Sequence, residues 1–380
     1  MLSDAAVKNR TAIPRLIRAA AAGVIGVAVA GGLAAFAGQA QAASGSGAAG
    51  AVYTLTNSAG GNAIEAYARA SDGSLTPAGT YPTGGKGGAL GSGHSIVVSR
   101  DGSVVVNVNA GSNSISAFAA TAKGLHLIGR ASSGGTDPNS VTIAGDNLVY
   151  VLNAGSETIA GFRLGDGGLN PIAGSVRPLG AGALVPRQIQ FSNDGGVLAV
   201  DEGGSNTIDT FVVGRDDRPG PAITTPSAGG GPFGFDFDRA GHLLVSDAAL
   251  TTGQSGATSY DVAGNGTVTA NGAAVPINQA AACWLAAAGG FAYTANAGSG
   301  SIGHYAVAPD GTLTVLGNTL IEGNSASHPL DEGVSAGQNY LYVLADGLHQ
   351  IVGYRIGADG SLTQVTTAPA AAGSGGVGAN

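Results

Sequence analysis

One cysteine, one tryptophan and one methionine are all that 380 residues hold of those three types, and only 11% of the chain is charged. With Cys283 alone, no intrachain disulfide can form, so stability has to come from packing. Cys283 lies in Ala-Ala-Cys-Trp-Leu, where nothing adjacent would lower its pKa, and it reads as a small core residue. Lysine is scarce, with three residues, and the net charge is −8. Phosphate backbones are held by clustered Lys and Arg, so nucleic acid is excluded as a partner. No Gly-x-Ser-x-Gly elbow is present, and the Gly-rich run from Thr83 to Gly93 lacks the strand-to-helix setting of a nucleotide loop. His328-Pro329-Leu330-Asp331-Glu332 matches neither a zinc spacing nor a calcium loop, so no metal or other cofactor is expected. Helical periodicity is missing throughout.

Only one long apolar run occurs. Lys8, Arg10, Arg15 and Arg18 precede Ala19 to Gly38, and Ala40-Gln41-Ala42 follows as a small-residue cleavage site. Residues 1–42 therefore read as a secretory signal peptide, with an uncleaved anchor as the alternative, and 43–51 as a flexible linker. The mature chain is expected outside the cytoplasm, secreted or periplasmic, without stable membrane insertion and as a monomer.

Glycine, in contrast, is abundant at 67 residues. It accompanies a stretch that recurs seven times: an apolar run, Asn-Ala-Gly-Ser or a relative, then a short apolar run ending in an aromatic residue. The copies start at Val52, Val104, Val149, Val197, Leu243, Phe291 and Leu341, at intervals of 45 to 52 residues. A strand-rich repeat of that length predicts an all-β, seven-bladed β-propeller of four-stranded antiparallel blades over 52–380. Asp72-Gly73, Asp166-Gly167, Asp194-Gly195, Asp310-Gly311 and Asp359-Gly360 fall at hairpin turns, where the aspartates are turn formers. Six inner strands follow six three-strand units, so the tail 368–380 is expected to supply the seventh and close the ring. Inner strands are expected to be buried on both faces.

This topology brings the start of each inner strand and the end of each second strand to one face of the disc. The convergent residues include His94, Asn139, Arg187 and Asp331 from the first set, with Glu332 beside it, and Asn153, Glu202, Asp247 and Asn296 from the second. Asn in Asn-Ala-Gly-Ser is expected to cap the strand, its side chain bonding the backbone of the loop, and it tolerates a left-handed conformation. Glu202 replaces it with a residue that caps poorly. Arg187, fifteen residues earlier, is expected to face Glu202, as an ion pair or as chemistry: a carboxylate to activate water, a guanidinium to hold an oxyanion or a substrate carboxylate, and His94 as acid or base.

The repeats, most clearly FAYTANAGSGSIGHYAVAPDGTLTVL from Phe291 and LYVLADGLHQIVGYRIGADGSLTQV from Leu341, resemble the seven-bladed lactonase family. That family includes propeller-type 6-phosphogluconolactonases and fungal carboxymuconate cyclases. The resemblance implies metal-independent opening or closing of a lactone ring. In the cyclase branch an arginine, a glutamate and a histidine act at the channel; Arg187 and Glu202 resemble the first two, while the histidine position is Asn139. Glu202 is thereby the implied base and Arg187 the clamp. His94 helps, and Asn139, Asn153, Asp247, Asn296, Asp331 and Glu332 contact substrate. The second reading is a non-catalytic propeller that holds a ligand or protein partner at the same face.

Overall fold

Seven antiparallel sheets, each reading outward from its innermost strand, make up the computed structural model, which describes residues 48–380 apart from 89–90, 146, 166 and 249–254. The expected signal peptide and residues 43–47 lie outside the described residues. The inner strands of blades 2 to 7 are Ile96–Val98, Pro138–Ala144, Pro186–Phe191, Pro232–Phe237, Ala282–Ala288 and Pro329–Val334. Blade 1 takes its inner strand, Gly375–Ala379, from the other end of the chain. That strand pairs with Ala48–Leu55 through Val52↔Ala379, Tyr53↔Gly378 and Leu55↔Gly375. The ring is therefore closed by the tail, as its place in the repeat order predicts. Ala48–Leu55 begins inside the expected linker, because Gly50 and Ala51 already pair with Arg69 and Ala68 and the Arg69 guanidinium bonds the Ala49 carbonyl at 2.8 Å.

The Asp-Gly turns behave as their chemistry dictates. Oδ1 of Asp72, Asp101, Asp310 and Asp359 accepts the amide two residues on at 2.9 to 3.1 Å, and the glycine that follows each takes a positive φ of 74° to 86°. Those bonds favour the charged form, and each of the four carboxyls titrates below its ordinary value.

Burial corrects one expectation. The second strands Val104–Asn109, Leu148–Asn153 and Val197–Glu202 are buried at every position, whereas among the inner strands Ala282–Ala288 alone is. Inner strands such as Pro186–Phe191 and Pro232–Phe237 alternate, since one side of each is turned to the central channel. The core lies between blades, as where Tyr150 and Leu152 of blade 3 pack on Ile189 and Phe211 of blade 4. Buried tyrosines stitch neighbours together. Tyr150, Tyr293 and Tyr342, all on second strands, donate to Asp217, Gly360 and Gly73 carbonyls in the turn between the third and fourth strands of the next blade, at 2.6, 3.1 and 2.9 Å. No helix among the described residues is long and apolar enough to cross a membrane.

Candidate functional site

Blades 3 to 7 begin their inner strands in one way. A residue with positive φ (Asp137, Val185, Gly231, Ala281 or His328) leads into a strand whose register slips at once against its partner. The unpaired residues of these bulges are Asn139, Arg187, Phe233 with Gly234, Cys283, and Leu330 with Asp331. A bulge re-aims the side chain it carries. Here several lean on the next blade around the channel mouth. Asn139 Nδ2 donates to the Pro186 carbonyl at 2.9 Å, the Arg187 guanidinium lies 4.5 Å over the Phe233 ring, and Phe233 meets Trp284 edge-on at 5.0 Å. Arg187 Nη1 also donates to the Gly91 carbonyl at 2.8 Å, drawing the Gly-rich segment across the mouth. A Cβ at Gly93 would run into the side-chain amide of Gln188, so the close crossing depends on glycine.

Beneath Arg187 lies Asp201. The two are neighbours by charge: Asp201 is the main influence holding Arg187 up against the lowering that burial imposes. Asp201 is fully buried, accepts the Gln188 amide at 2.8 Å, and titrates well above the ordinary carboxyl range because burial outweighs that bond and Arg187. Four polar atoms in this region are buried without a partner: Arg187 Nε, Asp201 Oδ2, Asn139 Oδ1 and Trp284 Nε1. Such atoms are rare in folded proteins and ask for a ligand or an ordered water.

His94 takes a left-handed conformation, with φ 57°. Its backbone amide donates to Asp331 Oδ2 at 3.3 Å and its Nδ1 lies 3.4 Å from the Gln188 amide. Burial lowers its pKa and Asp331 opposes this, so the ring is neutral near neutral pH. Asp331 also accepts the amides of Val377 at 3.1 Å and Glu332 at 3.0 Å, which ties blade 7 to the closing strand. Its pKa is raised by burial, with His94 the main opposing influence.

Glu202 does not join this group. It pairs with Pro186, one step before the bulge, and its side chain turns to the third strand of its own blade. Oε2 accepts Ser205 Oγ at 2.8 Å and Thr207 Oγ1 at 3.2 Å, while Oε1 is buried without a partner. Burial raises its pKa to about 8, helped by Asp209, with the two hydroxyls opposing. No Arg187–Glu202 ion pair forms among the described residues; the carboxylate whose charge reaches Arg187 is Asp201.

The remaining second-strand ends follow the same inward habit. Asn296 donates to Ser301 Oγ at 3.0 Å, Asp247 accepts Thr258 Oγ1 at 2.7 Å, and Asn153 donates to the Ser133 carbonyl at 3.1 Å. Burial lifts Asp247 to about 6. The expected capping of the following loop is not what they do: Asn109 and Asn153 make no side-chain bond to that loop's backbone, they have φ of −130° and −104°, and positive φ falls four residues later, at Asn113 and Glu157.

Below His94 the channel widens into a cavity of about 1050 Å³, bordered by Gln190, Asp236 and Glu332 and by the turns that follow the inner strands. It therefore opens on the face opposite the mouth. Asp201, Gln188, Asp236 and Trp284 escaped sequence reasoning, whereas Phe233 is one of the inner-strand starts that the repeat order brings to the mouth; the period-two carboxylate in Phe-Asp-Phe-Asp was the available signal for Asp236.

Against known proteins, the sequence profile described as Lactonase, 7-bladed beta-propeller matches residues 61–187 and 246–376. The chain belongs to the seven-bladed lactonase family. No curated protein matches this lactonase-family chain in sequence. Among solved structures, a Bacteroides fragilis protein given the provisional name 6-phosphogluconolactonase superposes with TM-score 0.68 at 20% identity, over 87% of this chain and 98% of that one. The Pseudomonas aeruginosa periplasmic gluconolactonase gives 0.65 at 16% identity, over 86% and 99%. A virginiamycin B lyase from Staphylococcus aureus gives 0.55 at 14%, over 75% and 88%. At these identities the likeness is one of fold. The profile match ends at Arg187 and resumes at Ser246, so Asp201, Glu202 and Asp236 stand in the part of the chain that the family profile does not match.

Proposed function

We propose that this lactonase-family protein opens the ring of an unphosphorylated sugar lactone at the blade-4 edge of the channel mouth, outside the cytoplasm. The observation that carries the reading is the neighbouring pair of unsatisfied buried groups, the Arg187 Nε–H donor and the Asp201 Oδ2 acceptor. A donor of that kind suits the carbonyl oxygen of a bound ester, and strengthens as that oxygen becomes an oxyanion. An acceptor whose pKa is lifted out of the ordinary carboxyl range suits a general base.

In the reaction so written, Asp201 takes a proton from water as the water oxygen bonds to the lactone carbonyl carbon, and Arg187 holds the resulting oxyanion. The ring C–O bond then breaks, and protonated Asp201 returns its proton to the departing ring oxygen to leave a hydroxy acid. His94, neutral and held by Gln188 and Asp331, orients substrate hydroxyls. The Phe233 and Trp284 rings suit the apolar face of a sugar. One guanidinium at the mouth does not suit a phosphate dianion, which favours unphosphorylated substrates. The periplasmic gluconolactonase among the structural neighbours and the apolar stretch before Ala42 support action outside the cytoplasm.

A second reading, a binding propeller, is favoured by the apolar belt of Phe233, Trp284 and Leu330 under the Gly91–Gly93 crossing. One assay separates them: acid release from a panel of glucono- and galactonolactones by the wild type, Asp201→Asn, Glu202→Gln and Arg187→Ala. Turnover that falls at least ~100-fold in Asp201→Asn and Arg187→Ala but survives in Glu202→Gln supports the mechanism. Loss in Glu202→Gln alone would move the base to Glu202, and no turnover by the wild type would sink the hydrolase reading.

A further inference from the structure

Blade 2 enters its inner strand unlike blades 3 to 7. Its paired strand is only Ile96–Val98, and the residues before it leave the blade and cross the channel. The Gly91 carbonyl accepts from Arg187 Nη1 of blade 4 at 2.8 Å, Ser92 Oγ donates to the Asn139 carbonyl of blade 3 at 2.7 Å, and the His94 amide donates to Asp331 of blade 7 at 3.3 Å. Gly93 lies between Gln188 of blade 4 and Trp284 of blade 6: a Cβ added there would collide with Gln188 Oε1 and touch Trp284 Cδ1 at 3.5 Å. Ser92 is 5% exposed and Gly93 is buried, so the segment is sunk into the mouth rather than laid over it. The wide cavity is bordered by His94 but by none of residues 91–93, and so ends beneath them.

Residues 91–93 span at most ~7 Å from first Cα to last. Arg187, Asn139 and Trp284, each in contact with one of them, therefore close around the same short segment. These three side chains hold three of the buried atoms without a partner, and Asp201, which holds the fourth, neighbours Arg187 by charge. The segment is lightly fastened. Among the described residues its hydrogen bonds are those with Arg187 and Asn139, none of its amides donates to another residue, and Gly-Ser-Gly has no apolar side chain to bury. Few contacts of this kind put a segment at the low end of local stability. His94, at φ 57°, anchors its far end, with its carbonyl accepting the Val141 amide of blade 3 at 2.9 Å.

We propose that residues 91–93 are an autoinhibitory plug, seated where substrate binds and displaced when a lactone takes the Arg187 guanidinium from the Gly91 carbonyl. The inference rests on the reading of the mouth as the lactone site. The Gly91 carbonyl does for Arg187 Nη1 what a substrate oxygen would do, so plug and substrate compete for one donor. Only the open fraction of the protein binds, and apparent affinity falls by that fraction. Weakening the plug therefore raises turnover at low substrate, the opposite of what loss of a substrate contact would do.

Trp284 is the chain's one tryptophan, and its buried Nε1–H has no partner, so exchange of that single indole proton with solvent, followed by NMR on the full chain, reads the open fraction directly. Ser92→Ala removes the bond to Asn139 and should speed the exchange about fivefold, the worth of one neutral hydrogen bond. Gly93→Ala, which drives a methyl group into Gln188, should speed it at least as much, while the amides of the buried strand Leu148–Asn153 keep their rates in both variants. On gluconolactone, kcat/KM of Ser92→Ala should rise by the same factor of about five. The plug is refuted if neither variant speeds indole exchange, or if exchange quickens and kcat/KM does not rise. A wild type without turnover on any lactone sinks the hydrolase reading instead, and displacement of the plug is then decided by the exchange rates alone.

Discussion

Replacing Glu202 by glutamine should make the protein more stable, and increasingly so as pH rises. The folded carboxyl titrates at about 8 against an ordinary 4.5, chiefly because it is buried. Below pH 4.5 the folded and unfolded chains both hold the proton and Glu202 costs nothing. Between 4.5 and 8 the unfolded chain releases it while the folded chain does not, so stability is lost as pH rises, by at most ~1.4 kcal/mol per pH unit. The full window would give about 5 kcal/mol; coupling to Asp209 and screening by nearby water reduce this, and about 2–3 kcal/mol is expected. Glutamine resembles the protonated acid: its oxygen still accepts from Ser205 and Thr207, and its amide donates towards Asp209. Asp236, Asp331 and Glu332 also have raised values, but they contribute equally to both proteins and cancel in the difference, whereas the Glu202 charge is one cause of the raised Asp201 value, so its removal stabilises in the same direction. The measurement is urea unfolding at pH 5, 6, 7, 8 and 9, followed by the fluorescence of buried Trp284, the chain's one tryptophan. A gap between the variants that stays constant across pH, or narrows, refutes the reasoning.

Other outcomes follow from single contacts. Deleting residues 375–380 removes an inner strand, the buried Val377 side chain and the bond that the Ala51 amide donates to Asn380 Oδ1 at 2.6 Å, and should lower the thermal midpoint by about 10 °C or more. A truncated chain that melts within about 2 °C of the parent would mean that the closing strand is dispensable. Cys283, 8% exposed with its thiol pushed up to about 12, should take up no Ellman reagent in the native state and one equivalent in denaturant. Tyr342→Phe should cost about 1 kcal/mol in chemical denaturation through the lost bond to Gly73, while the near-ultraviolet spectrum of the ring persists.

Blade number, turn positions and ring closure were legible because they rest on short-range chemistry repeated seven times. Asp-Gly punctuates, apolar runs pair, and an unpaired first unit needs a last strand. Which residue faces which was not legible. Arg187 and Glu202 stand at the same end of one strand pair, and plain alternation puts them together. The slip between Pro186 and Gln188 moves Asp201 into that place; Pro186 marks the spot, as Pro138, Pro232 and Pro329 do in blades 3, 5 and 7, but a proline at a strand start does not state the register that follows it. The inner strands were misjudged for a similar reason. Their burial depends on whether the channel is filled, and that is set by side chains from all seven blades together rather than by any one segment.

The strand that completes blade 1 is the last one in the chain, and this has a bearing on biogenesis. Until Gly375–Ala379 arrives, Ala48–Leu55 presents a bare backbone edge and blade 7 lacks one of its two neighbours. Until then the emerging chain is an open crescent with a strand-hungry end while all the strands between are made. Closure then joins segments more than 300 positions apart, the slowest kind of contact for a polypeptide to find. Holdase chaperones would have their longest engagement at that first blade, and C-terminal fusions would interfere with assembly far more than their distance from the channel suggests.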